Sequence, residues 1–172
     1  MKKIFLYAVL CPFLFSGCVK DNEDNGRAEY VSIGDVLPAF SVELSDGSTM
    51  TTESLSGKVS LIMFFSTTCP DCQAQFPAVE QIYNDFKDND QVVVVAISRA
   101  EGSSAVSAFW RENSLTMPYS AQTDRTVYNL FAESVVPRIY ISDKNRVVRA
   151  AFTDNPIAGY AELSSVITGL IN

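Results

Sequence analysis

Two cysteines, Cys69 and Cys72, lie between an apolar segment and an amphipathic one, and this arrangement constrains the fold more than any other feature. The apolar segment, residues 59–65, has the length and the nearly unbroken hydrophobicity of a strand that is buried on both faces. Beyond the cysteines, apolar residues recur at helical spacing to about residue 87: Phe76, Val79, Tyr83 and Phe86. The sequence therefore predicts a strand, a turn and a helix, with both sulfurs where the helix begins.

Residues around the turn agree with this interpretation. Residues 66–68, Ser-Thr-Thr, carry hydroxyls suited to capping a helix that begins near Cys69. Pro70 fits the first helical position, where a missing N–H costs nothing. Pro77 falls inside the predicted helix, where we expect a kink.

The rest of the chain alternates strands and helices. Further strands are predicted at residues 40–44, 92–97, 138–142 and 147–152, and further helices at residues 103–113, 126–131 and 159–171. Asp124 is the expected cap of the helix at residues 126–131. Helices that alternate with buried strands, followed by a closing hairpin, predict a three-layer α/β/α sandwich with a central mixed sheet.

The charge balance limits the partners. The 172 residues include 13 Lys and Arg against 20 Asp and Glu, a formal net charge of −7. No nucleic-acid partner is predicted, because neutralising phosphates requires clustered basic residues. Arg125 and Arg138 are expected to form exposed ion pairs, and Phe109 and Trp110 are expected to pack in the core.

The amino terminus has the pattern of a secretory signal. Two lysines follow Met1, and residues 4–15 are then apolar. This apolar run is too short to cross a hydrocarbon core of about 30 Å at about 1.5 Å per residue. Small residues follow it, as they do before a cleavage site.

The segment Phe15-Ser16-Gly17-Cys18 resembles the lipobox of bacterial lipoproteins, in which the cysteine receives diacylglycerol and becomes the first mature residue. We therefore predict a lipoprotein signal peptide at residues 1–17, a lipid-anchored flexible tether at residues 18–29 and a folded domain at residues 30–172. The protein would then lie at the membrane of the cell envelope, facing the periplasm or exposed on the surface. A plain secretory signal with an incidental cysteine is the alternative.

Only one pair of the four cysteines is left for redox chemistry, because Cys11 lies in the predicted signal and Cys18 would carry lipid. A structural disulfide between Cys69 and Cys72 would add little, since the entropic gain grows with the length of the closed loop. The chain has no His, which excludes Ser-His-Asp and Cys-His catalysis. Too few donors remain for zinc, so no metal and no cofactor are predicted. A redox-active dithiol in an oxidising compartment is the remaining interpretation.

The expected position of the pair gives the two sulfurs different roles. At a helix N-terminus the dipole and the unpaired N–H groups favour a thiolate, so Cys69 is the predicted nucleophile. Cys72 would be shielded one turn inside, keep the higher pKa and resolve the mixed disulfide that Cys69 forms with a partner. Pro70 and Asp71 form the loop between them, and the charge of Asp71 opposes the dipole.

Three motifs together resemble the thioredoxin superfamily. They are Thr68-Cys69-Pro70-Asp71-Cys72 after a strand, Pro77 beyond the second cysteine, and Val135-Val136-Pro137 before a strand. From about residue 36 to residue 171, the chain is similar to the membrane-tethered thiol–disulfide oxidoreductases of the TlpA and ResA type. The resemblance implies a thioredoxin-like fold with an inserted helix and strand near residues 101–121.

The resemblance also implies the substrate site. Pro137 would be cis and lie beside the dithiol, and the backbone of Val136 would bind the extended chain of a partner. Protein disulfides or dithiols would be the substrates and a membrane thiol carrier the electron donor, and the resemblance implies cytochrome c maturation as a role. Because Asp71 weakens thiolate stabilisation, we expect a reducing couple, nearer the value of about −270 mV for thioredoxin than the value of about −120 mV for DsbA.

Three positions depart from the family pattern. Thr68 stands where the family usually has Trp, and Met63 where many thioredoxins have a buried acid. Gln75 stands where the TlpA and ResA type has Glu, and a glutamine cannot shuttle a proton. Water and Asp71 are then the candidate proton acceptors for Cys72.

Two other functions stay open at this point. A peroxiredoxin shares the fold, although Ile62 and Ser66 stand where a peroxiredoxin has proline and threonine. A redox-inert lipoprotein that uses the same surface to bind a partner is the second alternative.

Overall fold

The structure is a computed structural model that describes residues 29–172. The predicted signal peptide, the predicted lipidation site Cys18 and the tether up to residue 28 lie outside the described residues. The strands are β1 (Ser41–Glu43), β2 (Thr49–Thr51), β3 (Val59–Phe65), β4 (Val92–Ser98), β5 (Tyr119–Ser120), β6 (Arg138–Ser142) and β7 (Val148–Phe152). The α-helices are α1 (Pro70–Phe86), α2 (Ser103–Glu112) and α3 (Tyr160–Ile171), and 3-10 turns lie at Glu53–Leu55 and Tyr128–Leu130.

Five strands form a mixed sheet in the order β5-β4-β3-β6-β7, and β1 and β2 form a separate hairpin. Strand β3 pairs in parallel with β4 and antiparallel with β6, and it is buried along its whole length. Its central place explains the apolar sequence at residues 59–65, because a strand between two others and under two layers has no solvated face. The mixed sheet and the inserted α2 and β5 are confirmed.

Helices α1 and α2 cover the face of the sheet to which Phe65 points. The ring of Phe65 lies 5.2 Å from Phe76 of α1 and 5.1 Å from Trp110 of α2, between centroids. Helix α3 packs beside α1 and buries Leu163 and Ile167. The crossovers from β3 to β4 and from β4 to β5 run in the same direction across the sheet, so right-handed connections put α1 and α2 on one side.

The opposite face is covered by turns and loops around Phe64. Its ring contacts Tyr128 at 5.4 Å and Phe131 at 4.8 Å, and Phe131 contacts Phe40 at 5.8 Å. The short helix predicted at residues 126–131 is a single 3-10 turn at Tyr128–Leu130. So short a segment does not nucleate an α-helix by itself, and burial of the aromatic rings fixes the single turn instead.

Arg138 is buried, with 3% of its surface exposed, so the prediction of an exposed ion pair was wrong. The cause is topology: Arg138 lies directly opposite Phe64 in the pairing of β6 with β3. Its guanidinium group donates to the Glu29 carboxylate at 3.1 Å and to the Ser134 carbonyl at 3.1 Å. Arg125 is exposed, and its guanidinium group lies over the ring of Tyr128.

The other predicted elements are confirmed to within one or two residues. Trp110 is buried and Phe109 is half-buried, as expected of core residues. Among residues 29–172, no helix combines the length and the hydrophobicity needed to cross a membrane.

Candidate active site

Both sulfurs lie at the start of α1, and one of them caps the helix. Cys69 is the N-cap residue, and its Sγ accepts a hydrogen bond from the backbone N–H of Cys72 at 3.4 Å. Pro70 is the first residue of α1, as predicted. Both cysteines are free thiols; Cys69 is half-buried and Cys72 is fully buried. The predicted strand, turn and helix are confirmed, but a sulfur replaces the expected hydroxyl as the cap.

The hydroxyls of residues 66–68 are used elsewhere, and this explains why they do not cap α1. Ser66 Oγ and Thr67 Oγ1 donate to Glu101 Oε1 at 2.9 and 3.1 Å, and Thr67 N–H donates to Oε2 at 2.7 Å. The sequence did not single out Glu101. Its place just beyond β4 was the available clue, because the carboxyl ends of neighbouring parallel strands meet at one edge of a sheet.

The peptide bond between Val136 and Pro137 is cis, as the resemblance implied. The Val136 carbonyl accepts a hydrogen bond from Cys69 Sγ at 3.4 Å, so this loop lies beside the dithiol as expected. The preceding residue, Val135, has a φ of 72°, a left-handed conformation that is rare for a β-branched residue. The hydroxyl of Tyr128 donates to the Val135 carbonyl at 2.6 Å and holds the loop in place.

Burial raises the pKa of the Cys72 thiol far above its usual value. A hydrogen bond from the backbone of Ser66 opposes this shift, and the positive charge of Arg99 opposes it further. Asp71 is exposed at the rim of the site. Cys72 is shielded, as expected, and because burial raises its pKa this thiol is protonated at neutral pH.

Gln75 is completely buried one turn beyond Cys72. Its Nε2 donates to the Ala158 carbonyl at 2.9 Å, whereas its Oε1 has no hydrogen-bond partner. Met63 is a core residue of β3, and Thr68 is exposed beside Cys69. The positions that depart from the family pattern thus place no carboxyl group next to the resolving sulfur.

Thioredoxin-like proteins put a reactive dithiol at the start of a helix and a cis proline opposite it. By its fold and its site, the chain is a thiol–disulfide oxidoreductase of the thioredoxin superfamily, similar to the ResA and TlpA type. Comparison of the sequence with family models gives the family: the chain belongs to the AhpC/TSA family, whose model matches residues 33–151.

Individual relatives and structures agree with this class. The thiol-disulfide oxidoreductase ResA of Bacillus subtilis (strain 168) is 28% identical over 139 residues, which cover 78% of this chain and 77% of that protein. ResA of Oceanobacillus iheyensis is 29% identical over 136 residues, covering 74% and 70%. The solution structure of a putative protein disulfide isomerase from Bacteroides thetaiotaomicron matches with a TM-score of 0.76 and 24% identity, covering 84% of this chain and 91% of the other. That structure supports the thioredoxin-like fold alone.

Proposed function

We propose that the chain exchanges its Cys69–Cys72 dithiol with disulfides of partner proteins and acts as a reductase. One observation carries this proposal: the two sulfurs share one helix turn but differ in access. Cys69 is within reach of solvent and caps α1, while Cys72 is buried beneath it. A partner disulfide therefore meets Cys69 first, and Cys72 is kept for the second step.

The exchange proceeds in two displacements. The Cys69 thiolate attacks one sulfur of the partner disulfide, forms a mixed disulfide and releases the other partner sulfur as a thiolate. Cys72 then loses its proton to water or Asp71 and attacks Cys69 Sγ, which releases the second partner thiolate. The chain ends with a Cys69–Cys72 disulfide, and the partner has gained two electrons. A membrane thiol carrier restores the dithiol by the reverse sequence.

The loop at Val136 and Pro137 is the proposed docking edge for the extended chain of the partner. The side chains of both residues are buried, so binding would use the backbone. In the dithiol form the Val136 carbonyl accepts from Cys69 Sγ. Once Cys69 forms a mixed disulfide it has no S–H to donate, and this carbonyl can accept an N–H of the partner instead.

The proposed location is the cell envelope, with Cys18 as the lipid-anchored residue and residues 18–29 as the tether. The charged start, the apolar run and the lipobox-like segment of the sequence support this assignment. Relatives named thiol-disulfide oxidoreductase ResA support the role of an oxidoreductase, and cytochrome c maturation is the pathway that we propose for it.

Trapping in cells that make the full chain tests the proposal. Cys72→Ser should accumulate mixed disulfides between Cys69 and partner proteins, which mass spectrometry after thiol quenching would identify. Cys69→Ser is the matched control and should accumulate none. Equal amounts of trapped protein in the two variants would contradict the assigned roles.

The direction of electron flow requires an equilibrium titration of the couple against glutathione. We expect a reduction potential near the value of about −270 mV for thioredoxin, because Asp71 opposes the helix dipole. A potential near the value of about −120 mV for DsbA would mean that the chain is an oxidant and would overturn the reductase assignment.

Thiol peroxidase is a second candidate, favoured by the match to the AhpC/TSA family. Cys69 would attack hydrogen peroxide to give a sulfenic acid and one water, and Cys72 would condense with it to give the disulfide and a second water. Reaction of Cys69 with one equivalent of peroxide faster than with a protein disulfide would support this candidate.

A further inference from the structure

Glu101 binds the short segment that leads into the dithiol. Both carboxylate oxygens are engaged: Oε1 accepts from Ser66 Oγ and Thr67 Oγ1, and Oε2 accepts from Thr67 N–H at 2.7 Å. The donors are almost completely buried, with 9% of Ser66 and 9% of Thr67 exposed. A carboxylate that takes three hydrogen bonds from two adjacent residues holds them in one arrangement, since charge-assisted bonds are stronger than neutral ones.

The same segment contacts both ends of the dithiol turn. Cys69 N–H donates to the Ser66 carbonyl at 3.2 Å. On the other side, Gln73 Nε2 donates to the Thr67 carbonyl at 2.7 Å and ties the segment to the first turn of α1. A shift of Ser66 and Thr67 would therefore move the backbone of Cys69 and the first turn of α1, which carries Cys72.

We propose that Glu101 is a positioning residue for the resolving step: it fixes Ser66 and Thr67, whose carbonyls hold Cys69 and the first turn of α1 in the arrangement in which Cys72 reaches Cys69 Sγ. Glu101 acts only through these two residues and does not contact either sulfur. The proposal rests on the proposed roles of Cys69 and Cys72. It accounts for resolution in a chain with Gln75, rather than a carboxyl group, one turn beyond the resolving sulfur.

Glu80 offers a matched control on the same molecule. Its carboxylate also takes three hydrogen bonds from two adjacent residues, namely from the N–H and the hydroxyl of Thr116 and from Met117 N–H. It lies on α1 two turns beyond Cys72, or about 12 Å at 1.5 Å per residue. Removing it loosens a loop to a similar degree without touching the segment at Ser66.

The test is a stopped-flow reaction of the reduced protein with 5,5′-dithiobis(2-nitrobenzoate). Attack by Cys69 forms a mixed disulfide and releases one thionitrobenzoate, and attack by Cys72 on Cys69 Sγ releases the second. Glu101→Ala should leave the first phase in place and slow the second about tenfold at neutral pH, since a lost charged hydrogen bond of this kind corresponds to roughly that factor. Glu101→Gln keeps an acceptor oxygen, so its second phase should be slowed about threefold, a rate between those of the unsubstituted protein and Glu101→Ala.

Glu80→Ala should change the second phase by less than about twofold. The inference is overturned if the second phase of Glu101→Ala is within about twofold of the unsubstituted rate, or if Glu80→Ala slows it as much. Should Glu101→Ala fail to fold, Glu101→Gln decides by the same comparison. Absence of the first phase in the unsubstituted protein would instead contradict the proposed function, and the role of Glu101 would fall with it.

Discussion

The ion pair between Glu29 and Arg138 gives a prediction that the structure makes quantitative. Glu29 is the first described residue, where the predicted tether meets the domain, and Arg138 follows the cis proline. The two are joined at 3.1 Å, with 3% of the Arg138 side chain and 35% of the Glu29 side chain exposed. We predict that Glu29→Gln destabilises the fold because it leaves the guanidinium charge buried without its counter-ion.

The magnitude follows from the exposure of the two groups. Breaking a fully buried pair costs about 3–5 kcal/mol, whereas an exposed pair contributes about 0–1 kcal/mol. Because Glu29 is one-third exposed and water can partly solvate the charge, we expect about 2 kcal/mol for Glu29→Gln. For a chain of this size that corresponds to a fall in melting temperature of about 4–8 °C.

A double-mutant cycle isolates the pair. The free energies of unfolding of Glu29→Gln, Arg138→Met and the double variant should give a coupling energy of about 1–2 kcal/mol, measured by urea denaturation. Arg138→Met alone should cost more than Glu29→Gln, since it also removes the bond to the Ser134 carbonyl. A coupling energy below about 0.3 kcal/mol, with Glu29→Gln near the unsubstituted stability, would refute the reasoning.

Three further predictions concern the surroundings of the dithiol. Burial raises the pKa of Cys72, so above about pH 9 the unfolded chain loses a proton that the folded protein keeps. Denaturation at each pH should therefore show that the reduced protein loses about 1.4 kcal/mol of stability per pH unit in this range, relative to Cys72→Ala. Gln75→Glu places a carboxyl group at a buried position, where its pKa is raised. The variant should therefore be as stable as the unsubstituted protein near pH 4 and become less stable as pH rises. A difference in stability between the two proteins that stays constant from pH 4 to pH 7 would contradict this. Val135→Asn should raise the free energy of unfolding by about 1 kcal/mol, because Asn tolerates the left-handed φ of 72° better than Val does, and Val135→Ala, which lacks the polar side chain, should gain less.

The sequence alone predicted the elements whose hydrophobic pattern matches their burial in the fold. Strand β3 could be placed from its nearly unbroken apolar residues, and α1 from the periodicity that follows Cys72. The position of the dithiol follows from these two elements alone. The cis bond before Pro137 and the place of its loop came from the family resemblance, not from residue pattern.

Features that depend on contacts between distant residues were missed. Nothing in the sequence around Arg138 indicates that it is buried, because its burial follows from the pairing of β6 with β3. Glu101 is 34 residues from Thr67. The motif around the cysteines therefore does not indicate that Glu101 binds the Ser and Thr hydroxyls that were expected to cap α1. The sequence predicted a short helix at residues 126–131 but not its 3-10 geometry, which depends on the packing of Tyr128 and Phe131 against Phe64.

The sulfur that closes the first turn of α1 is also the one that changes oxidation state, and this joins two equilibria in a thermodynamic cycle. The gap in conformational stability between the dithiol and disulfide forms must equal the gap in reduction free energy between the native and denatured chain, with about 30 mV for each 1.4 kcal/mol. Two denaturation curves, one for each form, would therefore report how far the native fold displaces the potential from that of an unstructured Cys-Pro-Asp-Cys peptide. Any substitution that strengthens the Cys69 cap selectively in the dithiol form must make the couple more oxidising.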